Sequence, residues 1–151
     1  MKAKRLRIDE TEKYGLGVFA NEKISAGEVV ASFDGEFYEV KKASLLPECC
    51  RNHAIQCGAE RYRDANSIAR LINHSCSPNC GIKNLFQIVA MHDIQPGDEI
   101  TWDYEMAENS NWTMHCCCGS EHCRTKIGAY RNLPPSKRKE YSGFISEWLF
   151  R

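Results

Sequence analysis

A nine-residue stretch near the C-terminus, HCCCGSEHC, is rich in potential metal ligands. Within it, Cys116, Cys118 and Cys123 form the pattern C-x-C-x4-C, a spacing that can place three thiolates around one small ion. Zinc in a structural site takes four nitrogen or sulfur ligands arranged as a tetrahedron. The pattern therefore predicts a zinc site whose fourth ligand lies elsewhere in the chain.

The fourth ligand has several candidates. The local histidines, His115 and His122, are each adjacent to a predicted ligand, and adjacent residues chelate poorly. Upstream, Cys76 and Cys80 are the better candidates. The chain has nine cysteines, an odd number, and no secretory signal, which favours reduced thiols over disulfides. Reduced cysteines without metal, or disulfides, remain the alternatives to zinc.

Three other segments carry residues suited to chemistry: YGLGVFA (14–20), INHSCSPNC (72–80) and GDEITWDYE (97–105). The G-x-G of the first permits close approach of a ligand to the backbone, although a plain β-turn explains it equally well. The polar residues of the second, including His74, need partners if they are buried. In the third, strand alternation places Trp102 and Tyr104 on one face and Asp103 on the other, as in any amphipathic strand.

Short β-favouring runs separated by glycine and polar clusters supply the elements that position these segments. Strands are predicted at 5–9, 17–20, 28–33 and 85–94, the last being the most apolar, and a hairpin is predicted over 53–64. Turns are expected at Gly27 and Gly97. A short helix is expected within 41–52 and stops around Pro47. Helical spacing of apolar residues predicts a turn of helix within 65–76, capped by Asn66 or Ser67, and a third helix is expected to begin near Pro135, before an aromatic tail that packs back.

The overall composition fits one globular domain. The chain has 151 residues, 42% of them hydrophobic, and its 20 basic and 20 acidic residues cancel. A net charge of zero gives no indication of direct nucleic-acid or membrane binding. Because no signal peptide or transmembrane stretch is visible, the sequence predicts an intracellular protein, cytoplasmic or, in a eukaryote, nuclear and associated with chromatin. Secretion as an effector is the alternative, and the sequence does not predict the oligomeric state.

Taken together and in this order, the segments resemble a SET-domain protein lysine methyltransferase. The residues that carry the resemblance are YGLGVFA, NSIARLINHSCSPNC, GDEITWDYE and C-x-C-x4-C, from about Tyr14 to about Gly128. The resemblance implies a mainly β fold with short helices, in which small curved β-sheets surround a pseudoknot and a zinc segment follows. The implied divisions are a SET domain over 1–107, a post-SET zinc-binding segment over 108–131 and a C-terminal tail over 132–151 that packs on the domain.

The resemblance also implies the function. A methyl group of S-adenosylmethionine is transferred to a lysine side chain of a protein or peptide, for example a histone tail. Tyr104 would be the catalytic residue and Trp102 would line the substrate channel. The cofactor would be held by the backbone of the first motif and by main-chain and side-chain hydrogen bonds of the second; the residues are Tyr14, Gly15, Leu16, Asn73 and His74. Structural zinc would be bound by Cys76, Cys116, Cys118 and Cys123. The alternative is a SET-fold, zinc-stabilised binding module with little or no turnover.

The sequence departs from the family pattern at three places. Trp102 stands where Phe or Tyr is usual, which leaves the number of transferred methyl groups unpredicted. Leu16 replaces a common aromatic and Tyr14 a common basic residue, and backbone contacts tolerate both. The remaining cysteines at positions 49, 50, 57 and 80 are expected to be buried thiols that act as small hydrophobes.

Overall fold

The computed structural model describes residues 4–50 and 52–151, without the side chains of Ala43 and Cys50. Its twelve described strands are β1 (Leu6–Thr11), β2 (Gly15–Ala20), β3 (Val29–Ser32), β4 (Phe37–Glu39), β5 (Ile55–Gly58), β6 (Arg61–Arg63), β7 (Asn73–His74), β8 (Cys80–Lys83), β9 (Gln87–Ala90), β10 (Glu99–Trp102), β11 (Met114–His115) and β12 (Lys126–Ile127). The predicted strands and the hairpin are therefore present. Met1–Ala3 and Arg51 lie outside the described residues.

The strands form three sheets. The largest has seven strands in the order β1-β2-β10-β8-β9-β3, with β7 paired to β10. A three-stranded sheet, β4-β6-β5, is built from the segment between Gly35 and Asp64 (the insertion), and β11 pairs with β12. The predicted mainly β fold with small sheets is confirmed.

Helical structure is short. The one α-helix among the described residues, α1, spans Pro135–Glu140 and begins where the sequence predicts. Single 3₁₀ turns occupy Ala43–Leu45, Glu48–Cys50, Ile68–Leu71, Tyr104–Met106, Tyr130–Asn132 and Glu147–Phe150. The helix expected over 41–52 is thus two separate turns on either side of Pro47, because proline lacks the N–H that would continue a helix.

The two predicted glycine turns are present and are equivalent. Gly27 has φ of 88° and Gly97 has φ of 90°, values that residues with a Cβ rarely adopt. Just before each turn, Ile24 and Ile94 form a bridge between the two segments, and both side chains are fully buried. Both isoleucines belong to the main hydrophobic core.

The second and third chemical segments meet side by side. β7 runs parallel to β10, with Asn73 opposite Thr101 and His74 opposite Trp102. The strand expected over GDEITWDYE ends at Trp102, although the rings of Trp102 and Tyr104 lie together as predicted, 4.8 Å apart between centroids. Asp103 instead caps a 3₁₀ turn, accepting a hydrogen bond of 3.1 Å from the Glu105 N–H. The cap turns Tyr104 toward the β7 segment.

The last residues of the chain lie against the turn that contains Tyr104. Ser146 N–H donates to Met106 O over 2.8 Å, and Trp148 Nε1 donates to Ala107 O over 2.8 Å. The backbone of Phe144 accepts from Ile82 N–H, and a Cβ placed on Gly81 would overlap the Phe144 side chain. Close packing of this segment therefore depends on a glycine in β8.

Candidate active site

Tyr104 is held in place by two hydrogen bonds and by two neighbouring aromatic rings. Its hydroxyl donates to the Ile72 carbonyl over 2.8 Å, and its N–H donates to Nδ1 of His74 over 3.1 Å. Its ring lies 4.8 Å from the Trp102 ring and 5.3 Å from the His74 ring, measured between centroids. Burial, reinforced by the charge of Glu99, raises the pKa of Tyr104, so the phenol stays protonated at neutral pH. The side chain is thus fixed as a neutral hydroxyl.

His74 connects Tyr104 to the cysteine cluster. Its ring is 4% exposed, and burial lowers its pKa to about 4 although Asp103 lies 3.6 Å away and opposes the shift. In the neutral ring, Nδ1 accepts from Tyr104 and so Nε2 carries the proton, which points to Cys76 Sγ at 3.3 Å. Both ring nitrogens therefore face protein groups, and the backbone is what His74 offers to a ligand.

A narrow cleft of ≈ 30 Å³ lies on one side of Tyr104. Its aromatic lining consists of Phe33, Trp102, Tyr104 and Trp112, and its polar lining includes Gln56, Arg70 and Glu108. The Trp102 ring packs edge-on against Phe33 at 6.0 Å. Its buried Nε1–H has no hydrogen-bond partner among the described residues. The cleft is therefore small and has both aromatic and polar walls.

A wider cavity of ≈ 250 Å³ is lined by Tyr104 and by both predicted cofactor motifs. Tyr14 and Asn73 contribute to its wall, together with His74, Met114, His115, Cys116 and Cys117. Asn73 Nδ2 donates to Leu16 O over 2.9 Å and to Glu99 Oε1 over 3.1 Å, which ties the two motifs together. Gly15, with φ of 79°, begins β2 within the first motif, and neither Gly15 nor Leu16 belongs to the lining of the cavity. Tyr104, Asn52 and His53 line both the cleft and the cavity.

Four sulfur atoms converge next to the cavity. The Sγ atoms of Cys76, Cys116, Cys118 and Cys123 all lie within 4.8 Å of one another, and that of Cys76 is 3.8 Å from that of Cys116. A zinc ion with sulfur ligands at about 2.3 Å requires tetrahedral S···S separations of about 3.8 Å. The Arg124 N–H points at Cys76 Sγ over 3.4 Å, a contact that stabilises a metal-bound thiolate. The donor set and its spacing fit zinc.

The pKa values of the thiols in the cysteine cluster favour the binding of a metal cation. Burial raises the pKa of Cys76 to about 11 and also raises that of Cys116. At Cys118, burial acts in the same direction, but the backbone N–H groups of Cys76 and Ser120 outweigh it and lower the pKa to about 7. The buried thiols of Cys76 and Cys116 therefore stay protonated at neutral pH unless a divalent cation supplies the compensating charge.

Arg124 was missed by the sequence analysis. It follows Cys123 directly, and its Nη2 lies 2.7 Å from Asp103 Oδ2 and 2.8 Å from Glu105 Oε1. Asp103 is fully buried, and its Oδ2 also accepts from the Tyr141 hydroxyl over 2.9 Å. The cysteine cluster, the turn of Tyr104 and the C-terminal segment therefore meet at one carboxylate. In the sequence, an arginine that follows a cysteine motif does not indicate that it pairs with a buried carboxylate.

The other cysteines lie outside the cluster. Cys80 and Cys57 are buried as predicted, and burial raises the pKa of Cys80 to about 12. Cys49 is exposed, so the expectation of burial is wrong there, because its 3₁₀ turn lies on the surface of the insertion. Cys117, between two members of the cluster, is also exposed. The side chain of Cys50 lies outside the described residues. None of the eight described cysteines forms a disulfide.

Comparison with known proteins identifies the family. The family described as SET domain matches residues 15–105, more than half of the chain. The chain belongs to the SET-domain family. Within this SET domain the match begins in the Y-G-L-G motif and ends one residue after Tyr104, so the cysteine motif and the tail lie beyond it.

Curated relatives share the SET domain over most of this chain. Histone-lysine N-methyltransferase TRX1 of Oryza sativa subsp. japonica is 31% identical over 139 residues, which is 80% of this chain and 13% of that protein. Histone-lysine N-methyltransferase ASHH3 of Arabidopsis thaliana is 29% identical over 157 residues, 90% of this chain and 40% of that protein. Histone-lysine N-methyltransferase Set2 of Drosophila melanogaster is 32% identical over 138 residues, 81% of this chain and 6% of that protein. The chain thus spans less than half the length of these relatives.

Solved structures with the same fold include KRYPTONITE. The SET domain matches KRYPTONITE in complex with mCHH DNA, H3(1-15) peptide and SAH, with a TM-score of 0.60 and 26% identity over 80% of this chain and 29% of that chain. A second KRYPTONITE complex, with mCHG DNA and SAH, gives a TM-score of 0.61 and 27% identity over 80% of this chain and 28% of that chain.

No helix among the described residues is long and apolar enough to cross a bilayer.

Proposed function

We propose that this SET domain is a protein lysine N-methyltransferase that uses S-adenosylmethionine and acts on histone tails. The observation that carries the proposal is the position of Tyr104, whose neutral hydroxyl stands where a narrow cleft with aromatic walls and a wider cavity share a wall. Such a junction allows a donor and an acceptor to enter separate compartments and meet at one atom. The names of the relatives and the SAH and H3(1-15) peptide bound to KRYPTONITE support this chemistry.

The wider cavity is the proposed cofactor site. Tyr14, Gly15 and Leu16 would contact the cofactor through their backbone, and Asn73 and His74 would complete the wall through the β7 segment. S-adenosylmethionine supplies a methyl group on a positively charged sulfur. The exposed backbone of the Gly15 turn has no side chain to obstruct a ligand, which suits close approach.

The narrow cleft is the proposed lysine channel. Methyl transfer needs a neutral amine with its lone pair in line with the methyl group, and an apolar channel favours the neutral form of lysine. Trp102 and Tyr104, whose rings pack against each other, would form one wall along the alkyl chain. The Tyr104 hydroxyl, held by the Ile72 carbonyl, keeps its oxygen as an acceptor for the amine and for the polarised methyl hydrogens.

Zinc would be structural. Four thiolates from Cys76, Cys116, Cys118 and Cys123 leave no open coordination position, so the ion itself would take no part in the chemistry. Its role follows from connectivity: the ligands join the β7 segment to the segment that lines the wider cavity. Loss of the ion would open the cofactor site.

Histone tails are the proposed substrate class, and chromatin is the corresponding location. Both rest on the relatives, which are histone-lysine methyltransferases, and on the peptide in the KRYPTONITE complex. That complex also contains DNA, but this chain covers only 29% of the KRYPTONITE chain. The expectation that this domain makes no direct contact with nucleic acid stays a prediction, as do the divisions at 107 and 131.

The test is transfer of a labelled methyl group from S-adenosylmethionine to purified core histones by the zinc-loaded protein. Wild type is expected to label lysine, and Tyr104→Phe is expected to lose the activity while binding S-adenosylmethionine with nearly unchanged affinity. Equal rates in the two proteins would remove Tyr104 from its proposed role. A folded, zinc-loaded wild type that binds the cofactor and labels no lysine would favour the alternative, a binding module without turnover.

A further inference from the structure

Glu108 is a buried carboxyl group close to Tyr104 and is not one of the predicted site residues. It follows the turn of Tyr104, and its N–H donates to Tyr104 O over 3.1 Å. The residue is 8% exposed. Its Oε1 accepts hydrogen bonds from the Tyr62 hydroxyl over 3.0 Å and from Ser110 Oγ. No described side chain donates to Oε2, so that oxygen is open to water or to a ligand.

Glu108 lines the narrow cleft together with Tyr104. The other ionisable groups of that lining have partners: His53 Nδ1 lies 2.8 Å from Arg70 O, and Arg70 Nη2 donates to Cys49 O over 2.7 Å. The Arg70 side chain is 34% exposed, with Asp64 4.0 Å away, so its charge is partly compensated and partly hydrated. Glu108 is therefore the buried acid among the residues that line the proposed lysine channel.

The environment of Glu108 makes it a stronger base than a surface carboxylate. Burial raises its pKa, and the hydrogen bonds from Ser110 and Tyr62 oppose that shift only in part. A lysine ammonium that enters the same cleft is desolvated too, and its pKa falls. Two opposite charges in a poorly hydrated cleft are both removed when one proton moves from the ammonium to the carboxylate.

We infer that Glu108 accepts the proton that the substrate lysine must lose before methyl transfer. The inference rests on the proposed function. One N–H bond of the ammonium breaks and its electron pair stays on Nζ, while an O–H bond forms at Oε2. The freed lone pair then attacks the methyl group, and the product leaves as a methylammonium. Glu108 returns its proton to solvent when the cleft empties.

The first test compares wild type with Glu108→Gln, using labelled S-adenosylmethionine and core histones between about pH 6 and 9. Glutamine keeps an oxygen for Tyr62 and Ser110 but accepts no proton. At pH 7 the variant is expected to lose about 100-fold or more in kcat/KM, the usual contribution of a positioned base. Its affinity for S-adenosylmethionine, measured by calorimetry, should not change. The matched control is Glu60→Gln, at an exposed glutamate between β5 and β6, which should behave as wild type.

The pH dependence separates a proton acceptor from a structural residue. In wild type, kcat/KM should rise through the Glu108 pKa to a plateau, because the enzyme takes lysine as its ammonium. In Glu108→Gln it should rise about tenfold per pH unit toward the lysine pKa of about 10.4, since solution must supply the neutral amine. The deficit therefore shrinks at high pH. A deficit of equal size at every pH, or no deficit at all, would overturn the inference.

A second variant acts on the same group without removing it. Tyr62→Phe deletes a hydrogen bond that lowers the Glu108 pKa, so the acidic limb of the wild-type profile should move to higher pH while the plateau stays within a few-fold. An unmoved limb would contradict the assignment. If wild type labels no lysine, the proposed function fails and the inference falls with it; an active Glu108→Gln with a normal profile refutes the inference alone.

Discussion

Arg124 is expected to be among the most sensitive positions in the protein. Its guanidinium is 14% exposed and neutralises two carboxylates, those of Asp103 and Glu105, whose side chains are 0% and 4% exposed. Arg124→Met keeps much of the side-chain volume but leaves both acids without their cation. Breaking a buried ion pair by removing one partner costs about 3–5 kcal/mol. For a domain of this size that corresponds to a fall in melting temperature of about 6–20 °C.

The matched control is Arg61→Met. Arg61 lies 2.8 Å from Glu39, but the two side chains are 49% and 71% exposed, and an ion pair in water contributes about 0–1 kcal/mol. Urea and thermal unfolding of the zinc-saturated proteins would be compared at one pH and one zinc concentration. The reasoning would be refuted if Arg124→Met destabilised the protein no more than Arg61→Met, since Asp103 and Glu105 would then be compensated in another way.

Three further substitutions test the hydrogen bond to Asp103, the zinc ligands and the buried Glu108 carboxyl group. Tyr141→Phe removes a hydrogen bond to the Asp103 carboxylate and should lower the free energy of unfolding by about 1.5–3 kcal/mol, whereas Tyr130→Phe, which keeps the ring packing, should have little effect; chemical denaturation measures both. Cys123→Ser should lower bound zinc and cofactor affinity together, while Cys117→Ser should keep its zinc, as measured by metal analysis and calorimetry. Burial raises the Glu108 pKa above its ordinary 4.5, so the folded state holds that proton more tightly than the unfolded state does. The stability contributed by this group therefore falls as the pH rises from about 4.5 through the folded-state pKa. Glu108→Gln should remove this component, as measured by unfolding curves at a series of pH values.

The sequence was informative where a motif fixes residues close together in the chain. The spacing of Cys116, Cys118 and Cys123 indicates a metal site. The turns at Gly27 and Gly97 are predictable because glycine adopts positive φ at low cost. The strands followed from short apolar runs bounded by glycine and polar residues. These features depend on local backbone preferences, which a single sequence contains.

Contacts between distant segments were not predictable in this way. Spacing alone left Cys76 and Cys80 as equal candidates, and their choice depends on the pairing of β7 with β10. Asp103 was assigned to a strand because alternation gives no warning of a capped 3₁₀ turn. Arg124, Tyr141 and Glu108 belong to no local pattern, since their partners lie 21, 38 and 46 residues away. The polar network around the site became visible only when the fold brought these residues together.

Calorimetric titration of the zinc-loaded protein with S-adenosylmethionine shows whether the cavity beside Tyr104 holds this cofactor, and it needs no substrate. Saturable one-to-one binding is expected, and Asn73→Ala should weaken it because Asn73 joins the two motifs of the cavity wall. Absence of heat at several temperatures, from a folded protein that retains its zinc, would mean that this cavity is not the cofactor site.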